Sequence, residues 1–332
     1  MKICICGGGN LGHVCAGFLA NRGHEVSILT TKPERWDTEL KIVAPDKTFT
    51  GELALVTSKP EKVIPQTEMV LVCLPGFAIH EGLVNIKPYL STDCIVGSVV
   101  SSTGFFFEAF SVLPSDISLF GFQRVPFISR IIEYGKKAEL KGYKETLHVA
   151  IENATDKEPI RKELEKLFEK PVSIADSYYE VSLSNSNPLL HPARLYTMWK
   201  DWQPGIVYPR NPQFYAEWAI DASTLLLKMD EEFQQLLKAL GLKSGCIPTI
   251  LDYYESTDAV SLTQKLHNIR AFQGILSPMK EVEGGWIPDF ASRYFTEDFP
   301  YGMRFIVETA HKHNVKISTI EEVYQWGLSK TI

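Results

Sequence analysis

The chain has 332 residues, 45% of them hydrophobic and 22% charged, enough for two domains with a large buried core. A net charge of −6 argues against non-specific nucleic-acid binding, and no apolar run approaches a membrane span. Met1-Lys2 reads as the opening of a core strand rather than a signal peptide, and the six cysteines are scattered without zinc-ligand spacing. The expectation is a cytoplasmic protein with reduced thiols and no metal.

Lys2 to Cys6 is a short apolar, partly β-branched run that reads as a buried strand. It runs into Gly7-Gly8-Gly9-Asn10-Leu11-Gly12, which fits G-x-G-x-x-G. Leu11, Val14, Cys15, Phe18 and Leu19 then mark one face of a helix, Gly23 ends it, and Glu25 to Leu29 starts a second strand. The glycines therefore fall at the first turn of a βαβ unit. Gly7 allows a sharp turn off the strand, Gly9 leaves room for a pyrophosphate, and Gly12 lets helix and strand pack closely. Asn10 and Leu11 sit at the helix N-terminus, whose free N–H groups and positive dipole end suit phosphate.

After the second strand, Thr30-Thr31-Lys32-Pro33-Glu34-Arg35 has no Asp or Glu at the strand end, where an NAD site usually holds its ribose hydroxyls. The hydroxyls and cations of Thr31, Lys32 and Arg35 suit a 2′-phosphate, so NADP(H) is the expected cofactor and NAD(H) the alternative. Lys41 to Leu55 alternates polar and apolar residues around a Pro45-Asp46-Lys47 turn, as a small antiparallel excursion does. Met69 to Leu74 is almost purely apolar, like a strand covered on both faces, and ends at Pro75-Gly76. Leu74 and Pro75 are placed to line the nicotinamide ribose. Further strands are predicted at 94–100, 117–121, 145–151 and 171–174, with a helix over 158–169. Gln123, Arg124 and Arg130, in the segment after the strand at 117–121, are candidate substrate contacts.

From Asp176 onward strand patterns stop and helices jointed by prolines take over, which predicts domains at 1–176 and 177–332. Pro212 to Leu240 reads as one long helix stopped by Gly241, with a stripe that begins Phe214, Trp218, Ala222 and Leu225. Such a stripe serves as core or as the contact of a homodimer. Shorter helices are predicted at 248–256, 261–271 and 300–314. Ser318 with Glu321, and Thr319 with Glu322, offer capping boxes for a final helix.

Two stretches of the second half carry chemistry. Asn187-Pro188-Leu189-Leu190-His191-Pro192 brackets a histidine between prolines, and Arg293-Tyr294-Phe295-Thr296-Glu297-Asp298-Phe299-Pro300-Tyr301-Gly302 is a polar loop before a helix. With the glycine fingerprint, this pattern of Asn-Pro-x-x-His-Pro and Arg-Tyr-x-Thr-Glu-Asp-x-Pro-Tyr-Gly resembles the octopine/nopaline (opine) dehydrogenase family along nearly the whole chain. The resemblance implies a Rossmann-type doubly wound α/β domain followed by an all-α domain like the C-terminal domain of 6-phosphogluconate dehydrogenase. It implies an NAD(P)H-dependent reductive condensation of an amino acid with a 2-oxo acid. It further implies that His191 is catalytic with Asp298 as its carboxylate partner, that Arg293 binds a substrate carboxylate and that Asn187 orients the reacting centre. Pro126 to Arg130 stands where the family has Pro-Trp-x-Cys-Arg. Two other readings use the same fold: a ketopantoate-reductase-like 2-oxo acid reductase, or a non-catalytic NAD(P)H-binding protein.

The roles are chemically coherent. A histidine titrates near neutral pH and exchanges a proton with a reacting oxygen or nitrogen. A carboxylate on its other ring nitrogen fixes the tautomer, and an arginine grips a carboxylate through two parallel hydrogen bonds. The sequence predicts that His191 and Asp298 meet within hydrogen-bond reach.

Overall fold

The computed structural model describes residues 1–330. The chain divides after Ser184 into two compact units.

The first unit follows the order β1 (Lys2–Cys6), α1 (Asn10–Asn21), β2 (Glu25–Leu29), β3 (Glu39–Val43), β4 (Thr48–Glu52), β5 (Leu55–Thr57), β6 (Met69–Val72), α2 (Gly76–Ile86), β7 (Ile95–Ser98), α3 (Phe105–Val112) and β8 (Leu119–Phe122). It continues with β9 (Phe127–Glu133), β10 (Lys137–Tyr143), β11 (Leu147–Glu152), α4 (Glu158–Phe168), β12 (Val172–Ile174) and α5 (Tyr178–Ser182). Its main sheet has the order β12-β11-β8-β7-β6-β1-β2-β5. Every pairing in it is parallel except β11 with β8. Apolar side chains of α1 and α4 fill one face, and those of α2 and α3 fill the other. Near-continuous apolar strands such as Met69–Val72 are the consequence, because neither face meets water.

A second sheet, β4-β3-β10-β9, covers the outer side of α1. Its β3–β4 hairpin is the antiparallel excursion expected from the sequence. β9 and β10 are not expected: no strand is predicted between 121 and 145, where Gly135 and exposed charges interrupt the apolar pattern. Gly135 has φ +75 and a Cβ there would lie 2.0 Å from the Arg35 carbonyl oxygen, so glycine is what lets the β9–β10 turn approach the loop after β2. α1 is tied to this sheet by polar groups as well. Asn10 Oδ1 accepts the Ile131 N–H at 2.8 Å, and His13 Nε2 accepts the Gly135 N–H at 2.8 Å.

The first unit also runs further than the sequence predicts. α5 belongs to it: Val181 is buried in the core beside α2 and α3, and Glu180 holds His148 of β11 at 3.0 Å.

The second unit contains α6 (Asn187–Trp199), α7 (Ile220–Ala239), α8 (Ile250–Tyr253), α9 (Ala259–Asn268), a hairpin of β13 (Met279–Val282) and β14 (Gly285–Pro288), α10 (Arg293–Thr296), a π-helical turn at Phe299–Met303, α11 (Arg304–Lys312) and α12 (Ser318–Lys330). It is helical apart from that hairpin. The long helix predicted over Pro212–Leu240 begins only at Ile220. Phe214 and Trp218, expected on its stripe, lie in the turns before it. The true face of α7, including Ala222, Leu226, Met229 and Phe233, is buried inside the unit, so the stripe is core rather than dimer contact. The predicted 300–314 helix is divided between the π-helical turn and α11. Gly327 of α12 accounts for close packing there, since a Cβ would lie 2.0 Å from the Phe299 ring.

Candidate active site

In the first unit the glycine turn has the shape a dinucleotide requires. Gly7 has φ +121, and a Cβ on it would lie 2.5 Å from the Cys73 carbonyl oxygen. A Cβ on Gly12 would lie 2.0 Å from the Gly7 carbonyl oxygen, whereas around Gly9 there is open space. Helix α1 follows Gly9, its N-cap, with no side-chain cap and no acidic residue in its first turn. Its first N–H groups therefore have no partner inside the helix and point where an anion would sit. A cavity of about 570 Å³ adjoins this turn.

Of the expected cofactor contacts, Gly7, Thr31, Lys32 and Leu74 line that cavity. The side chains of Asn10 and Leu11 are engaged elsewhere, on Ile131 and in the core, so only their backbone can face a phosphate. Pro75 caps the start of α2. The Arg35 guanidinium lies 4.4 Å over the ring of Tyr134. Tyr134, at the end of β9, also lines the cavity, as do Ser58, Glu81 and Asn85. None of these four is marked by a motif. Tyr134 reaches the site only because the second sheet brings residues 127–143 against α1. His13 supports it from below: its ring is buried, packs at a tilt against Trp36 and meets Tyr134 edge-on. Burial lowers its pKa, as suits a neutral ring that accepts from Gly135 and donates from Nδ1 to Gly9.

Gln123 and Arg130, candidate substrate contacts, fall on different elements. Gln123 lies in the bend after β8, with its N–H on the His148 carbonyl, and Arg130 is an exposed residue within β9. Arg124, the third candidate, donates to the Ser184 carbonyl at 3.0 Å.

In the second unit His191 sits on α6, with Pro188 in the first turn, where a missing N–H costs nothing, and Pro192 inside the helix. Its Nδ1 is 2.8 Å from Asp298 Oδ2, across 107 positions of sequence. Its Nε2 is 2.8 Å from the hydroxyl of Tyr215. The edge of Tyr294 meets the ring at 4.7 Å and Phe214 at 5.8 Å. The carboxylate accepts from Nδ1–H, which leaves Nε2 as the acceptor of a neutral ring. Burial raises the pKa of Tyr215 well above the ordinary phenol range, and so it does for Tyr294, with the Asp298 charge adding to it. Both phenols are therefore neutral at physiological pH.

Asn187 is the first residue of α6, its N–H accepted by Asn185 Oδ1. The Arg293 side chain is 83% exposed and makes two parallel bonds to Glu297, at 2.9 and 2.7 Å. One turn further along α6, burial lowers the pKa of Arg194 to about 10, and its guanidinium donates to the Glu217 carbonyl. Glu217 in turn holds Arg210 through both oxygens and accepts the Gln213 N–H at 2.9 Å. The segment that carries Tyr215 is thus fastened on both sides of it.

Known proteins share this architecture. Residues 174–331 match the family model of the NAD/NADP octopine/nopaline dehydrogenase alpha-helical domain, and residues 3–101 match that of ketopantoate reductase PanE/ApbA. Octopine dehydrogenase of Pecten maximus is 30% identical, over 99% of this chain and 90% of its own. Opine dehydrogenase of Haliotis discus hannai is 28% identical, over 98% and 89%. A solved structure of octopine dehydrogenase with NADH and L-arginine superposes with a TM-score of 0.88 at 27% identity, covering 99% of this chain and 89% of that one.

Proposed function

The chain belongs to the octopine/nopaline (opine) dehydrogenase family, and from that premise we propose a reductive condensation of an amino acid with a 2-oxo acid in which His191 is the acid–base group. The protein is an NAD(P)-dependent dehydrogenase acting on a CH–NH bond. The observation that carries the catalytic assignment is the 2.8 Å contact between His191 Nδ1 and Asp298 Oδ2. Asp298 holds the ring in the Nδ1–H tautomer and stabilises imidazolium when Nε2 takes a proton. The imidazolium gives its proton to the hydroxyl that leaves as water when amine and 2-oxo acid form an imine. Bound in the first unit, the reduced cofactor supplies the hydride. Arg293 grips a substrate carboxylate, which takes the place of Glu297 on its guanidinium. Asn187, at the start of α6, orients the reacting centre.

The glycine turn and the open N-terminus of α1 hold the pyrophosphate, through Gly7, Gly9 and Gly12 and the N–H groups of the first turn. Thr31, Lys32 and Arg35 select NADPH over NADH, since an acidic residue is missing where a ribose 2′-hydroxyl would need one. Reduced nicotinamide cofactor and 2-oxo acids are both drawn from the cytoplasm, and we assign the protein there. No helix among the described residues is long and apolar enough to cross a membrane.

NADPH oxidation followed with pyruvate, alone and with a panel of amino acids, tests the reading. Turnover that requires the amine supports it. Turnover with the 2-oxo acid alone would replace it by a ketopantoate-reductase-like activity, and absence of both by a binding protein.

A further inference from the structure

Both nitrogens of His191 are occupied within the second unit, and only one of the two partners belongs to the motifs that identify the site. We propose that Tyr215 is a positioning residue for His191: its hydroxyl holds the Nε2 edge of the imidazole while Asp298 holds the Nδ1 edge. The ring is thereby kept in the Nδ1–H tautomer, with its Nε2 lone pair aimed along a fixed direction before any substrate arrives. The inference rests on the reading of His191 as the acid–base group.

Two distances of 2.8 Å define the arrangement, one on each ring nitrogen. The phenol is not free to swing away. Tyr215 is 5% exposed, and its ring stacks on Phe272 at 4.1 Å with 19° between the planes. Trp218 is parallel to it within 5°. The backbone on either side is fastened, by Phe214 N–H on the Ile275 carbonyl and by the grip of Glu217 on Gln213 and Arg210. Burial keeps the hydroxyl protonated, so it donates to the neutral imidazole and accepts from the imidazolium. A hydrogen bond with an ionised partner is roughly twice as strong as a neutral one, so the contact tightens when the ring takes up a proton.

Among the described residues, no other titratable side chain is hydrogen-bonded to Nε2. Tyr294 meets the His191 ring with its edge, and Arg293 is held by Glu297. Tyr254 lies close enough to Tyr215 to add to the rise of its pKa. Of the helices packed on α6, α12 sends Glu322 to Tyr196, more than a turn beyond His191. Asp221, at the start of α7, acts on Arg194. A substrate oxygen that exchanges a proton at Nε2 therefore shares that nitrogen with Tyr215, or displaces it, and the hydroxyl restores the ring's orientation after product leaves.

The test uses full-length protein labelled with ¹⁵N-histidine, with His191→Asn identifying the resonances. In Tyr215→Phe the Nε2 resonance moves towards that of an imine-type nitrogen without a hydrogen bond, while Nδ1 stays protonated. In the amine-dependent assay, kcat falls about tenfold, the worth of one hydrogen bond, while KM for both substrates stays within about twofold. If Tyr215→Phe fails to fold, fluorotyrosine in place of tyrosine keeps the phenol's shape and acidifies its hydroxyl, and the Nε2 resonance moves the opposite way. An Nε2 resonance unchanged by either replacement overturns the proposal, as does a Tyr215→Phe enzyme with wild-type kcat. The NMR measurement needs no turnover. A protein without amine-dependent activity would remove the proposed reaction, and the resonance would still decide whether Tyr215 holds the ring.

Discussion

A histidine on a helix is common; what distinguishes His191 is the carboxylate brought to its Nδ1 from 107 positions away. Removing the imidazole should therefore cost catalysis and little else. His191→Ala is expected to lower turnover by roughly 10²–10⁴-fold, with NADPH affinity measured by calorimetry unchanged. Asp298→Asn should keep the fold, seen by circular dichroism, and lose up to about 10⁴-fold in kcat through the wrong tautomer. Arg293→Lys should chiefly raise KM for the 2-oxo acid, because one ammonium does not reproduce a two-bond grip. The pairing was legible in the sequence because each partner lies inside a distinctive motif. Tyr215 was not. Reading Pro212–Leu240 as one helix put Phe214 and Trp218 on a shared face and Tyr215 off it, whereas in the turns that actually form, all three gather around the imidazole or its partner.

At the scale of elements, the start of α12 shows how a local signal loses to a tertiary one. Ser318 and Glu321 have the spacing of a capping box, but Glu321 is engaged by His311. The N–H groups of Thr319 and Ile320, unpaired within the helix, are accepted instead by Glu232 of α7, at 2.9 to 3.0 Å. A carboxylate from a neighbouring helix satisfies two donors at once, opposes the positive end of the helix dipole, and fixes α12 to α7. Glu232→Ala is expected to cost about 1–2 kcal/mol in urea unfolding, and Glu321→Ala less than half as much. The segment before α7 is held by Glu217, whose pKa is lowered from 4.5 to about 2, first by Arg210 and then by the Gln213 N–H. A depressed carboxylate adds stability above its unfolded value and loses it as pH falls through the folded one. Glu217→Gln should thus flatten the stability profile between about pH 4.5 and pH 2, read by thermal melts across that range.

For the molecule as a whole, the sequence made the main sheet and the helical second unit readable, because apolar runs and proline joints follow directly from burial on both faces and from chain breaks. It hid half of the second sheet, whose strands carry Arg130, Glu133, Lys136 and Lys137 on or beside exposed edges. The apolar face of α7 is consumed inside its own unit, so light scattering at micromolar concentration should give the mass of one chain. The proposed cofactor choice rests on the loop after β2: NADPH should bind more tightly than NADH by calorimetry, and Lys32→Glu should narrow or reverse the difference.

The ties between α1 and the second sheet carry a consequence for the protein's synthesis. The glycine fingerprint leaves the ribosome first, but Asn10 waits for Ile131, His13 waits for Gly135, and the cavity wall waits for Tyr134. β10 must then insert beside β3, which was made almost a hundred residues earlier. A nascent chain stalled with only residues 1–126 outside the exit tunnel should leave α1 open to protease whether or not NADPH is present. Once residues beyond 143 have emerged, NADPH should protect it. Protection at the shorter length would mean that the turn matures without its outer sheet.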